Sequence, residues 1–388
     1  MRKGMFRRSR TVLAGAAAAV SLATGVTAAM AGPAASATAA PASTPAVVFG
    51  IHDSAVNSCD DNQQATSADP TQQQLNEATS SFRDGLWDGL HTHEARFIVP
   101  WDIADPGLAH PQDQNALVAE QKCLGAWLNE AAAKGVTPEI AFQEQYGPSA
   151  HAGTTAHVPS IQNYEAAFDK FRAMFPSVTV FAPWNEPDHP QTASGTTTPD
   201  PSQAGQMWIA VYHRCSGCVV IAGDFGPGAG GNGYLNSYND VIKGYHPSVW
   251  AVHPYGDVAS YENGDNTPLP DTTVGRFATG LYQLGYRSDT HIWLDEVSVT
   301  TSGHSEAAQT AAARYLVNTL YQAGGRTTAN QPIVTRLYYL RYAARSADPN
   351  GQEVALVKFS DYDSGGSISN GTPVGAYSVF SGRPAPWQ

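Results

Sequence analysis

Two short stretches of the 388-residue chain hold carboxylates in settings suited to chemistry. Phe181-Ala182-Pro183-Trp184-Asn185-Glu186-Pro187-Asp188 closes an apolar run on an indole, an amide and two acids. Ile292-Trp293-Leu294-Asp295-Glu296-Val297-Ser298 closes another on two adjacent acids. Glu186 and Glu296 lie 110 positions apart, far enough to come from different strands. Two carboxyls flanking one bond are what glycoside cleavage uses. One protonates the leaving oxygen, and the other attacks the anomeric carbon or activates a water. Their surroundings must push the two pKa values apart, so that one is protonated while the other is ionised. Pro187 biases Glu186 toward an extended backbone, as expected for a carboxylate at a strand end. Asp295 is the rival of Glu296, because neighbours on a strand point to opposite faces.

Such a pair needs a scaffold that brings distant strand ends to one mouth. Eight β-branched or apolar runs recur, beginning near Ala46, Ala95, Val136, Val178, Cys218, Val249, His291 and Ile333. Helical periodicity lies between most of them. Leu117, Leu124, Trp127, Leu128 and Ala131 share a face, with Gly135 as the stop. Tyr164, Phe168, Phe171 and Phe175 follow a Ser160 cap, and Ala312, Leu316 and Leu320 lie between Ser305 and Gly324. Strand-helix units of about 40 residues imply parallel strands with crossover helices, and eight of them imply a closed barrel. The expected fold is therefore α/β, a single-domain (β/α)8 TIM barrel over residues 44–388. A doubly wound sheet would carry a glycine-rich turn after the first strand, where Ile51-His52-Asp53-Ser54 has none.

In a barrel the loops after the strands build the active face, and here they are long and polar: 57–79, 147–160, 188–202 and 256–273. The glycine-rich run 226–233 reads as one more flexible loop. In this arrangement Glu186 closes strand four and Glu296 strand seven, facing each other across the opening. His52 and Asp53 follow strand one, Trp101 and Asp102 strand two, Gln143 and Glu144 strand three, and Asp224 strand five. Aromatic faces with amides and carboxylates suit a saccharide cleft. The last stretch, from Glu353, reads as a hairpin and a final helix near Val374–Ser381.

Trp184-Asn185-Glu186-Pro187 and Leu294-Asp295-Glu296, in that strand order, resemble glycoside hydrolase clan A. The Trp-Asn-Glu-Pro-Asp run is nearest the β-xylosidase and iduronidase-like family. The resemblance implies a secreted retaining hydrolase acting by double displacement on a β-linked polysaccharide or oligosaccharide, with no cofactor. It implies Glu186 as acid/base, Glu296 as nucleophile, Asn185 on the sugar 2-hydroxyl, and Arg96 steadying the nucleophile. His253 and Tyr255, on strand six, match the clan's His-x-Tyr neighbourhood. Where the clan often has a tryptophan at the end of strand eight, this chain has Tyr338-Tyr339-Leu340-Arg341-Tyr342, and Tyr342 is the candidate platform. A carbohydrate-binding barrel without turnover is the alternative function, and the retained glutamate pair argues against it.

The remaining features bound the setting. Arg2, Lys3, Arg7, Arg8 and Arg10 precede an apolar stretch, Val12 to Val26, and then Ala29-Met30-Ala31 and Ala35-Ser36-Ala37. Residues 1–37 thus read as a secretory signal peptide cleaved near 31 or 37. Beyond that leader 17 basic residues face 34 acidic ones, a charge of −17, which argues against nucleic acid or an anionic membrane as partners. A monomer that meets only its carbohydrate substrate is expected. Export makes disulfides the default, as Cys59–Cys123 and Cys215–Cys218, with a Cys-x-x-Cys redox site as the other reading of the second pair. His91-Thr92-His93-Glu94 puts its histidines on opposite sides of a regular element, so no metal site is expected.

Overall fold

A computed structural model describes residues 48–53, 68–109, 114–144, 158–189, 198–228, 233–301, 303–321, 328–345 and 354–381. The leader 1–37, Ala46, Cys59, Gly324 and most of the loops 147–160 and 188–202 lie outside the described residues. All described residues belong to one compact unit, Pro45–Gln388.

Nine parallel strands form the central sheet: β1 Val48–His52, β2 Glu94–Pro100, β3 Thr137–Gln143, β4 Val180–Ala182, β5 Val219–Val220, β6 Ala222–Phe225, β7 Val249–Val252, β8 His291–Val297 and β9 Ile333–Leu340. Their order is β5-β4-β3-β2-β1-β9-β8-β7-β6. The two edges, β5 and β6, are halves of one chain segment separated by Ile221, so the sheet closes on itself with eight staves. The expected TIM barrel is present, and its strands start within two or three residues of the positions read from the sequence wherever those positions are described.

Strand alternation sorts the side chains into two layers. Ile98, Ala141, Val180, Ala182, Ile221, Val249, Ala251, Trp293 and Tyr338 cluster inside the barrel. Phe97, Val99, Phe142, Phe181, Val220 and Trp250 face the helices and join the larger core. Gly50 is required inside: a Cβ there would fall 2.4 Å from the Tyr338 ring.

The helices are α1 Gln72–Ala78, α2 Ser80–Arg83, α3 Gly85–Asp88, α4 Gln114–Ala133, α5 Ile161–Met174, α6 Pro201–Arg214, α7 Tyr234–Ile242, α8 Tyr255–Glu262, α9 Thr273–Gln283, α10 Glu306–Tyr315 and α11 Tyr377–Phe380. Caps account for their limits. Ser160 accepts from Asn163 N–H and Ser305 from Ala308 N–H. Gly135, at φ +68°, ends α4: its N–H donates to Ala132 and the Val136 N–H to Ala131, the two bonds of a Schellman turn.

Two expectations need correction. The stretch 57–79 was expected to be loop, yet Gln72–Ala78 is helical. Thr71 and Gln74 form a reciprocal capping box there, a signal that outweighs a polar sequence with little apolar periodicity. The stretch 256–273 likewise contains most of α8. Cys215 and Cys218 form a disulfide, and Cys123 is also disulfide-bonded. The hairpin elements and final helix are present at the C-terminus, as the antiparallel pair β10 Val357–Phe359 and β11 Thr372–Pro373 followed by α11. No helix among the described residues is long and apolar enough to cross a membrane.

Candidate active site

Alternation along β2 turns Glu94, Arg96 and Ile98 inward, and Arg96 ends fully buried. A guanidinium out of water is tolerated only when its donors and charge are matched. Here its donors all have partners. Nε donates to Glu139 Oε1 (3.0 Å), Nη1 to Glu296 Oε2 (2.9 Å) and His52 Nδ1 (3.1 Å), and Nη2 to Asn185 Oδ1 (2.8 Å) and Asp224 Oδ2 (2.8 Å). Burial works against the charge, but Asp224, Glu296 and Glu139 more than offset it and Arg96 stays cationic. Because a guanidinium can only donate, His52 Nδ1 must accept. The ring is neutral there, and burial lowers its pKa accordingly. Its 3.4 Å approach to Glu296 is then a contact around one shared nitrogen and not an ion pair.

Glu296 lies where the β8–β9 register shifts between Leu294 and Val297. Its Oε1 accepts from the Tyr255 hydroxyl at 2.6 Å. Burial acts to raise its carboxyl, yet the groups that face it, His52, His253 and Arg96, hold it well below the usual carboxylate range. With His52 neutral, the positive charge in that set belongs to His253 and Arg96. Asp295 is the opposite case. It is fully buried, neither oxygen has a hydrogen-bond partner, and burial with the nearby Glu139 and Asp224 pushes its pKa well up. Of the two adjacent acids, Glu296 is the ionised one, with its side chain 14% exposed.

Glu186 follows β4 and also keeps its side chain 14% exposed. Its backbone is not extended as Pro187 suggested: φ is +45°, a left-handed value. Tertiary bonds override the local bias. The Asn185 N–H donates to Phe142 O (2.6 Å) and the Glu186 N–H to Asp224 O (2.8 Å). Non-glycine residues in this region carry about 1–3 kcal/mol of strain, which the surrounding contacts must hold. Glu186 Oε1 accepts from His253 Nδ1 (2.8 Å), and His253 Nε2 donates to Asp224 Oδ1 (2.7 Å). Burial works to lower the pKa of His253, but Asp224 above all, with Glu186 and Glu296, raises it well above the ordinary histidine value. Both ring nitrogens face carboxylate oxygens, as an imidazolium requires. Asp224 is held low by Arg96 and His253 against the opposing pull of burial. Asp188 accepts from the Gly226 N–H (2.8 Å), and burial pushes it up to about 6.

The expected residues thus divide. Glu186, Glu296, Asn185, Arg96, His52, His253, Tyr255 and Asp224 form one hydrogen-bonded cluster. Tyr255 belongs to the first turn of α8 and not to the strand before it. The platform expected of Tyr342 is overturned: it is fully buried, its hydroxyl donates to Asp84 (2.7 Å), and its ring packs edge-on against Trp87. Trp101 is likewise 2% exposed, packed in the helix-facing core, with its main-chain N–H donating to Gln143 O. Gln143 itself ends β3 and is buried. Asp53 accepts from Trp127 Nε1 and Ser81 Oγ, which makes it a brace between β1 and the helices. Asp102 and Glu144 are buried at the ends of β2 and β3. Glu139 was not anticipated. Its signal is a lone acid inside the apolar run Val136–Phe142, at an inward position opposite Arg96. Among the described residues no cluster of His, Cys, Asp or Glu could hold a metal ion.

The glycosyl hydrolase catalytic core family matches residues 137–370, more than half of the chain. No curated protein matches. Solved structures share the fold. One is a family 39 glycoside hydrolase from the gut symbiont Bacteroides cellulosilyticus WH2, with a TM-score of 0.54 and 15% identity, covering 87% of this chain and 63% of that one. A second is GH5_18 from Streptomyces cattleya in complex with GlcNAc, at 0.57 and 12% over 87% and 79% of the two chains. A third is an exo-β-1,4-mannosidase from Opitutaceae bacterium strain TAV5, at 0.54 and 13% over 88% and 61%. The chain spans less than two thirds of the first and third of these proteins, and at such identities the likeness speaks for the fold.

Proposed function

The chain belongs to the glycosyl hydrolase catalytic core family, and from that premise we propose that it is a retaining enzyme with Glu186 as acid/base and Glu296 as nucleophile. One observation carries the assignment. The two glutamates are the opposite ends of a single chain of bonds, Glu186–His253–Asp224–Arg96–Glu296, whose three middle side chains are wholly buried. Only the ends reach solvent, where a substrate would lie.

In this reading Glu296 attacks the anomeric carbon while Glu186 gives its proton to the leaving oxygen. Water then enters, gives a proton back to Glu186 and releases the sugar from Glu296. The nucleophile must be ionised, which Arg96 and His253 favour. Tyr255 and Arg96 hold its two oxygens apart and aim them. Asn185 has its Oδ1 on Arg96, so its Nδ2 is turned to donate, which suits a sugar 2-hydroxyl. His52, neutral beside Glu296, lines the same wall. The substrate class we infer is a β-linked polysaccharide or oligosaccharide met outside the cell after removal of residues 1–37. Mass analysis of the secreted chain tests that last point, with Gly32 or Thr38 expected as the first residue.

The central test is Glu186→Ala and Glu296→Ala on a glycan the wild type degrades. Glu186→Ala should lose at least about 100-fold in kcat/KM, the usual worth of a positioned proton-transfer group, and Glu296→Ala, which has no atom left to form the glycosyl intermediate, should lose at least about as much. Proton NMR of the first-formed product should show the anomeric configuration kept. Inverted product would replace the nucleophile with a general base, and undiminished variants would end the proposal.

A further inference from the structure

Asp224 holds Glu186 twice, by different atoms. Its main-chain carbonyl accepts the Glu186 N–H at 2.8 Å. Its carboxylate accepts His253 Nε2–H at 2.7 Å, and the other nitrogen of that ring meets Glu186 Oε1 at 2.8 Å. Its second oxygen takes Arg96 Nη2 at 2.8 Å, which ties the same residue to the nucleophile's arginine.

The backbone is built for this. Gly223 has φ +87° and Asp224 +57°, and the β6–β7 register shifts between Gly223 and Phe225. This is a bulge, which re-aims groups beside active sites. It turns the Asp224 carbonyl from the β7 ladder toward the Glu186 N–H. Asp is among the few side chains that tolerate a left-handed backbone. Glu186 is itself left-handed at +45°, so the hydrogen bond locks two unusual conformations against each other.

We propose that Asp224 is a positioning residue for the acid/base, fixing the Glu186 backbone through its carbonyl and aiming His253 Nδ1–H at the Glu186 carboxyl through its carboxylate. This rests on the assignment of Glu186 made above. No proton leaves Asp224 during turnover. Its negative charge raises the proton affinity of His253 and balances the imidazolium that Glu186 faces. The ring of His253 is also faced by Glu186 and Asp188 after β4, by Glu296 and Asp295 on β8, and by Tyr255 at the start of α8. Asp224 is its closest charged neighbour.

Asp224→Asn keeps the size and the left-handed tolerance but removes the charge. The pH profile of kcat/KM should move to lower pH by about one unit, the usual effect of a charge at this distance. Loss should depend on the leaving group. On a glycan it should be about 100-fold, the scale of general-acid help, and under 10-fold on a dinitrophenyl glycoside, which needs little acid assistance. Equal losses on both substrates with an unmoved profile would make Asp224 a plain structural brace and overturn the proposal. A readout without turnover covers a variant that does not fold and separates this idea from the functional one. Nitrogen-15 NMR of the wild-type His253 ring, assigned against His253→Gln, should show both nitrogens protonated at pH 7, above the ordinary histidine midpoint of about 6.5. A neutral ring at pH 6 would refute the role even if the enzyme is active, and an imidazolium would stand even if Glu186 proves dispensable.

Discussion

Arg96 and Arg336 both lie inside the barrel, near opposite ends of its strands. Arg336 is near the strand N-termini. It donates to Glu94 (2.9 Å) and the Tyr338 hydroxyl (2.9 Å), and its guanidinium lies 3.9 Å over the Trp293 ring. It meets one carboxylate, one phenol and one aromatic face, and its side chain remains 16% exposed. Arg96 is wholly buried, with three carboxylates, an amide and an imidazole on its donors. The same charge closes the barrel at one end and organises reactive groups at the other. The difference lies in the acceptors. A stacked arginine bonded through one nitrogen keeps freedom to shift, whereas a fork with every donor taken fixes the groups it touches.

The comparison breaks most readily at Arg96. Arg96→Met leaves the buried Asp224 and the part-exposed Glu296 without their counter-charge, so stability should fall by about 3–5 kcal/mol in urea unfolding, with activity lost with it. Arg336→Met should cost no more than about 2 kcal/mol, since a cation over an aromatic ring and one part-exposed pair are worth that much, and kcat should hold. Equal losses at the two sites would remove the distinction.

Glu139 sharpens it. Burial pushes this carboxyl up to about 7, against its ordinary 4.5. The folded protein therefore keeps a proton that the unfolded chain has already released. That stability is fully present below the ordinary pKa and fades as pH rises through about 7. The slope is about 1.4 kcal/mol per pH unit, for a total near 3 kcal/mol. Glu139→Gln still accepts from Arg96 Nε, so unfolding curves from pH 4 to 8 should become flatter by that amount. An unchanged slope would mean that Glu139 does not titrate in this window.

At the opposite end, Gly50→Ala forces a methyl into the Tyr338 ring and should cost about 1–3 kcal/mol by thermal unfolding, with kcat per folded molecule preserved. The smallest effect belongs to Tyr255→Phe. It removes one hydroxyl from Glu296 and should lower kcat by about 10-fold, close to the value of one hydrogen bond to a charged group. Unaltered kcat there would show that Arg96 aims the nucleophile unaided.

Much of this was legible in the chain itself. Strand-helix spacing of about 40 residues dictates parallel strands, because only a crossover helix returns the chain to the same end, and the caps at Ser160, Ser305 and Gly135 are local chemistry. The two glutamates announced themselves because each closes an apolar run, where an acid has no structural reason to be. Arg96 was implied only by the family resemblance of those two motifs. Tyr342 misled because its place at the end of the eighth stave says nothing about which way the ring turns; Asp84 and Trp87, about 260 positions earlier, decide that. Pro187 misled for a similar reason: a local bias of backbone angle yields to the hydrogen bond that the Glu186 N–H donates to a carbonyl on another strand. Sequence alone determines elements, because their causes lie within a few residues. Tertiary structure decided the charges. Whether Glu296, Asp295 or Glu139 is ionised depends on how far water is excluded and on which cations stand within a few ångströms, and those neighbours come from strands far apart along the chain.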